Sequence, residues 1–149
     1  MTDGANNANN QSGSCLCGAV SFEFAGGPFP LTWCHCSMCR KFHGHAMPAI
    51  AVANDTIKWS DGAQDHIAWF VSSEKGRRGS CRRCGSALFY REEGEKHIAI
   101  VAGAIDDPTN FVVDDHIYAA DKGDWYELPD DGLPHHEGDW PTPPTRPRP

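Results

Sequence analysis

An all-β fold of small antiparallel sheets is what this 149-residue chain predicts, and three observations carry that expectation. Short segments rich in β-branched and aromatic residues recur along the chain, punctuated by Gly, Pro and Asp. Helical periodicity is nearly absent. All seven cysteines fall in three tight clusters, Cys15-x-Cys17, Cys34-x-Cys36-x-x-Cys39 and Cys81-x-x-Cys84, which can tie loops together at one end of the sheets.

Residues 1–13 are Asn-, Gly- and Ser-rich without apolar periodicity and read as a disordered tail. The alternation of Ala19-Val20-Ser21-Phe22-Glu23-Phe24 predicts a strand that stops at Gly26-Gly27-Pro28. Ser37 to Gly44, after the cysteine triplet, has room for a helical turn or two. Further strands are expected at Ala49–Val52, Ile57–Trp59, His66–Val71, Ala87–Tyr90, His97–Val101 and His116–Tyr118. Residues 141–149 are mostly proline and form a second tail, which leaves one domain over residues 14–140.

The cysteine spacing points to zinc. A structural zinc takes four protein ligands, whereas a catalytic one keeps three and an open position. Seven thiols divide as four plus three: the triplet Cys34, Cys36 and Cys39 holds one metal, and the pairs Cys15/Cys17 and Cys81/Cys84 close a second site. Tetrahedral geometry sets the sulfurs roughly 3.8 Å apart, within reach of both C-x-x-C turns and extended C-x-C segments. A disulfide framework fits poorly. Seven is odd, and thiols this close within a cluster cannot bridge without strain. The start Met1-Thr2-Asp3-Gly4 is polar rather than basic then apolar, so the expected compartment is the cytoplasm.

Charge narrows the partners. The formal net charge is −7, and metal-bound thiolates make it more negative still, which argues against a nucleic-acid or anionic-membrane surface. No apolar run approaches the roughly 20 residues that span a bilayer. Local basic character at Arg40-Lys41 and at Lys75, Arg77, Arg78, Arg82 and Arg83 is expected to screen a dianionic tetrathiolate, with an anion-binding rim as the sharper alternative.

Ser14-Cys15-Leu16-Cys17-Gly18-Ala19-Val20, Cys34-His35-Cys36-Ser37-Met38-Cys39-Arg40-Lys41 and Cys81-Arg82-Arg83-Cys84-Gly85-Ser86-Ala87-Leu88-Phe89 resemble the glutathione-dependent formaldehyde-activating enzyme family, of the Mss4-like fold group. The resemblance continues through Gly103–Pro108 and His116–Lys122 to Trp125. It implies a β-tent of small antiparallel sheets with zinc-tied loops and two Zn²⁺ per chain. Cys15, Cys17, Cys81 and Cys84 would hold the structural ion, and Cys34, Cys36 and Cys39 the open, catalytic one. The implied activity is that of a carbon–sulfur lyase joining or splitting a small thiol such as glutathione and an aldehyde such as formaldehyde.

Chemistry at three thiolates follows from their charge. With Zn²⁺ they leave a net −1 and a metal suited to holding a fourth sulfur or oxygen ligand; a thiol bound there loses its proton and becomes nucleophilic. His35, between two ligands, is expected to point away from the metal. His43 or His45 would close the site if either supplied a fourth ligand. Gly85 and Ser86 are expected to offer backbone N–H groups to zinc-bound sulfur. His135 and His136 sit in an acidic stretch and read as a solvated loop. The alternative function is a non-catalytic zinc-binding interaction or chaperone-like module, which a closed fourth ligand and a flat apolar surface would support. A sulfoxide reductase-like activity would need a free cysteine, and none is left.

Overall fold

The computed structural model describes residues 10–27, 29–109 and 111–141. Its elements are β1 (Asn10–Ser14), β2 (Ser21–Ala25), β3 (Leu31–Cys34), α1 (Ser37–His43), β4 (Met47–Ala53), β5 (Ile57–Trp59), β6 (Ile67–Val71), β7 (Gly76–Cys81), β8 (Ala87–Glu92), β9 (His97–Val101) and β10 (Val113–Ile117), with short 3₁₀ turns between some of them. Two sheets result. One has three strands in the order β1-β2-β5, the other seven in the order β10-β3-β4-β9-β8-β7-β6. The fold is mainly β, as the strand-rich sequence predicts.

The alternation of side chains along β4 and β9 explains both the packing and the cavity. Ile50, Val52, Ile98 and Ile100 face the small sheet and pack with Phe22, Phe24, Ile57, Leu88 and Phe89 in the main core. Fully burying each such side chain is worth roughly 1.5–3 kcal/mol. The intervening Met47, Ala49 and Ala99 face the other way, into a second cluster with Cys34, Cys39 and Ile117. The large sheet is therefore apolar on both faces here, and Ala49-Ile50-Ala51-Val52 reads as a continuous run for that reason. On the second face the small alanines leave space that bulkier residues would have filled.

Three features depart from expectation. Residues 10–13, assigned to the N-terminal tail, form most of β1 and pair with β2 from Asn10↔Ala25 to Ser14↔Ser21; residues 1–9 and 142–149 lie outside the described part. β3 and β7 lie outside the strands expected from the sequence. β7 reads Gly-Arg-Arg-Gly-Ser-Cys, yet it is paired on both sides by β6 and β8, and a Cβ on Gly79 would stand 3.0 Å from the Trp69 ring. Finally, β10 joins β3 in parallel, so the large sheet is not purely antiparallel. A helix long and apolar enough to cross a membrane is absent among the described residues.

Candidate metal centres and the adjoining cavity

Two matching turns bring the four-cysteine group together. The Cys15 amide donates to the Val20 carbonyl at 2.9 Å, and the Cys81 amide to the Ser86 carbonyl at 2.9 Å. Each turn needs a glycine in the left-handed region, Gly18 at φ 81° and Gly85 at φ 77°. Backbone N–H groups point at the sulfurs: Val20 N lies 3.3 Å from Cys15 Sγ and Arg83 N 3.4 Å from Cys81 Sγ. The Ser86 hydroxyl, 3.1 Å from Cys84 Sγ, helps pull that thiol down to about 5. Ser86 also joins the two turns, accepting from Leu16 N at 3.0 Å.

The donor set suits a tetrahedral ion. Cys15 and Cys17 sulfurs are 3.6 Å apart, Cys17 and Cys81 sulfurs 3.8 Å apart, close to the spacing zinc imposes. All four sulfurs lie within 4.8 Å of one another.

The triplet is assembled locally. Cys34 ends β3, Cys36 caps α1 and Cys39 lies one turn into it, its amide donating to Cys36 Sγ at 3.3 Å. The three sulfurs lie within 4.8 Å of one another, and among the described residues no His, Asp or Glu joins that group. Hydrogen bonding from Cys34 and Cys39 pulls Cys36 down to about 2, while the same contact with Cys36 pushes Cys34 up.

The triplet opens on a cavity of about 680 Å³, lined among others by Met47, Ala49, Ala99, Arg78, Tyr90 and Trp140. Arg78 is buried, with Nη1 3.6 Å from Cys39 Sγ. Trp140 and Asp139 arrive on a C-terminal strap that runs beside β10: His116 N donates to Pro134 O, His136 N to His116 O and Tyr118 N to Gly138 O. Tyr118, also on the cavity wall, holds a left-handed φ of 53° that a non-glycine residue adopts at a cost.

The histidines serve elsewhere. His35 turns from the triplet into a buried chain: its Nδ1 meets the Tyr126 hydroxyl at 2.8 Å, and its Nε2 meets His116 Nδ1 at 2.9 Å. His116 Nε2 then meets Asp131 Oδ2 at 2.8 Å, which holds the Asp131 carboxyl below its usual range. Burial brings the His35 ring down to about 4. His43 and His45 stay out of the triplet group; His45 accepts from Ala46 N and packs on Trp125 and Tyr126. His135 and His136 are more tightly held than a solvated loop would be. His135 Nε2 is 3.6 Å from Asp131 and His136 Nε2 3.5 Å from buried Asp115.

The basic cluster divides. Arg77 pairs with Glu93 at 2.9 Å, whereas Arg78 faces the triplet rather than the four-cysteine group that the run of cations was expected to screen. Arg78 was legible only as one of a run of cations beside a cysteine group, and Tyr90 and Trp140 not at all as site residues. Their one shared signal is aromatic or cationic character, which surface and core residues show equally.

The model of the family described as glutathione-dependent formaldehyde-activating enzyme matches residues 10–121. A Halomonas elongata protein named "Putative glutathione-dependent formaldehyde-activating enzyme" is 32% identical over 127 residues, covering 78% of this chain and 79% of that one. A Schizosaccharomyces pombe protein named as an uncharacterized lyase is 27% identical over 117 residues, covering 78% of this chain and 83% of its own. A crystal structure of a Rhodobacter sphaeroides protein superposes with a TM-score of 0.54 at 21% identity, over 64% of this chain and 88% of that one, a likeness of fold alone.

Proposed function

The chain belongs to the glutathione-dependent formaldehyde-activating enzyme family, and on that footing we propose that it is a zinc enzyme joining or splitting a small thiol and a small aldehyde at Cys34, Cys36 and Cys39. Cys15, Cys17, Cys81 and Cys84 hold a second, structural zinc in this reading, giving two ions per chain. The single observation that carries it is the open triplet: three mutually close thiols, no fourth side chain of metal-binding type beside them among the described residues, and an adjoining cavity.

A zinc held by the triplet supplies a site where a thiol is bound as its thiolate and kept as a nucleophile. The residues of the chain do the rest. Cys39 and Cys36 are fixed by the first turn of α1, so the open side of the triplet is aimed into the cavity. Ala49, Ala99 and Met47 give that cavity an apolar floor that sheds water from a small carbonyl compound. In the forward direction the thiol sulfur forms a bond to the carbonyl carbon. The C=O π pair moves onto oxygen, which takes up the proton that the thiol lost, and the product is a hemithioacetal.

A cavity of this volume suits the enzyme better than a flat-surfaced interaction module. The same reading keeps all seven thiols reduced and puts the protein in the cytoplasm. The test is exchange spectroscopy with formaldehyde and a panel of thiols including glutathione. Zinc-loaded protein should exchange thiol and hemithioacetal faster than buffer, and Cys36→Ser should return the rate to background. No acceleration across the panel would overturn the proposal.

A further inference from the structure

Arg78 is 4% exposed, and its charge has no carboxylate within ion-pair distance among the described residues. Its Nε likewise meets no hydrogen-bond partner there. A buried, unpaired cation is costly unless something nearby compensates it. What lies nearby is the triplet, with Nη1 3.6 Å from Cys39 Sγ. The guanidinium is held in place by aromatic faces, 5.0 Å from the Tyr90 ring centroid and 6.0 Å from that of Phe42. It also lines the cavity onto which the triplet opens. Position, burial and missing counter-charge all converge on the three sulfurs.

We propose that Arg78 is the positioning residue of the three-cysteine site, offsetting the charge of the gathered thiolates and biasing the open position toward an anionic fourth ligand. The inference rests on the reading that the triplet holds a divalent ion. Three thiolates and such an ion carry −1. A thiolate in fourth place makes −2, whereas a neutral ligand leaves −1. With Arg78 counted these become −1 and 0, so the guanidinium matters most for the anionic ligand. A planar fork with several donors also fixes direction in a way an ammonium cannot. The ligand class implied is a thiol bound as thiolate, in preference to water or imidazole.

The experiment compares wild type with Arg78→Met, which removes the charge, and Arg78→Lys, which keeps it without the fork. Cys36→Ser serves as the reference holding only the four-cysteine ion. In chelator competition, Arg78→Met should release the triplet metal about 10- to 100-fold more readily, the span of a hydrogen bond to a charged group. Arg78→Lys should fall between, and the four-cysteine metal should be retained equally in all. In cobalt-substituted protein, Arg78→Met should weaken 2-mercaptoethanol binding more than imidazole binding. Equal retention of the triplet metal in Arg78→Met and wild type would overturn the proposal. So would loss of both metals together in Arg78→Met and Arg78→Lys, which would make Arg78 a residue of the fold. A wild-type triplet that takes up no metal would instead overturn the reading on which the proposal rests.

Discussion

The indole N–H of Trp140 donates to the carboxylate of Asp115 at 2.8 Å, joining the C-terminal strap to β10 beside the triplet. Asp115 is buried and also accepts from the Thr32 hydroxyl at 2.9 Å, on the neighbouring strand β3. One carboxylate thereby fixes the parallel pair of strands and a wall of the cavity. Asp115→Ala should cost roughly 1–3 kcal/mol, because it strands two donors. Trp140→Phe, which loses the N–H and the second ring of the indole, should cost about 1 kcal/mol or more and loosen the wall. Denaturant melts of the two variants check the order.

The two cysteine groups should differ in what they hold together. Cys17 and Cys81 sulfurs meet across 64 residues of chain, whereas Cys34, Cys36 and Cys39 come from one short stretch. Cys81→Ser should unfold the chain or lower the melting temperature by roughly 10 °C or more, since a structural metal contributes its binding energy to folding. Cys36→Ser should stay within a few degrees of wild type while losing one metal. Thermal melts with elemental analysis decide it, and equal collapse in both would make the triplet structural as well.

Gly13 has no room for a side chain. A Cβ there would stand 2.5 Å from the Ala104 carbonyl oxygen and 2.6 Å from Phe22 Cζ. Backbone cannot move aside as a flexible side chain can, so Gly13→Ala should push β1 off the edge of the small sheet. The expected cost is roughly 1–3 kcal/mol. An unchanged denaturation midpoint would show that the strand shifts freely.

His43 links stability to pH. Burial, with the charge of Arg78 next, holds its ring down to about 4. The unfolded ring titrates near 6.5, so the unfolded chain takes up a proton first as the pH falls. The contribution of the neutral ring is therefore fully present above about 6.5 and lost as the pH drops toward 4. Ring signals of His43 should stay in the neutral form at pH 5 in wild type, and Arg78→Met should move the midpoint upward. A wild-type midpoint near 6.5 would contradict the placement.

Local pattern was enough for much of this. Alternation marked β2 at Phe22 and Phe24, a β-branched run marked β9 at Ile98 and Ile100, and their side chains meet in one core. Cysteine spacing alone grouped Cys34, Cys36 and Cys39 and paired Cys15/Cys17 with Cys81/Cys84, because metal-binding distances are set by short turns that the sequence displays directly. The nearby Ser86 could be tied to Cys84 through its backbone for the same reason, whereas the hydroxyl contact at 3.1 Å came from the structure. Register and handedness of approach are different. Whether Arg78 or Arg77 faces inward depends on how β7 pairs with β6 and β8, and a one-residue slip would exchange them. Trp140 reaches the cavity only because the strap follows β10, and His35 finds His116 across 81 residues only because β10 lies parallel to β3. The chain itself determined the sheets' apolar faces and the two groups of thiols, both products of spacing between near neighbours. The tertiary structure alone decided which cation meets the triplet and what walls its cavity, since these contacts join segments whose relative placement no local pattern encodes.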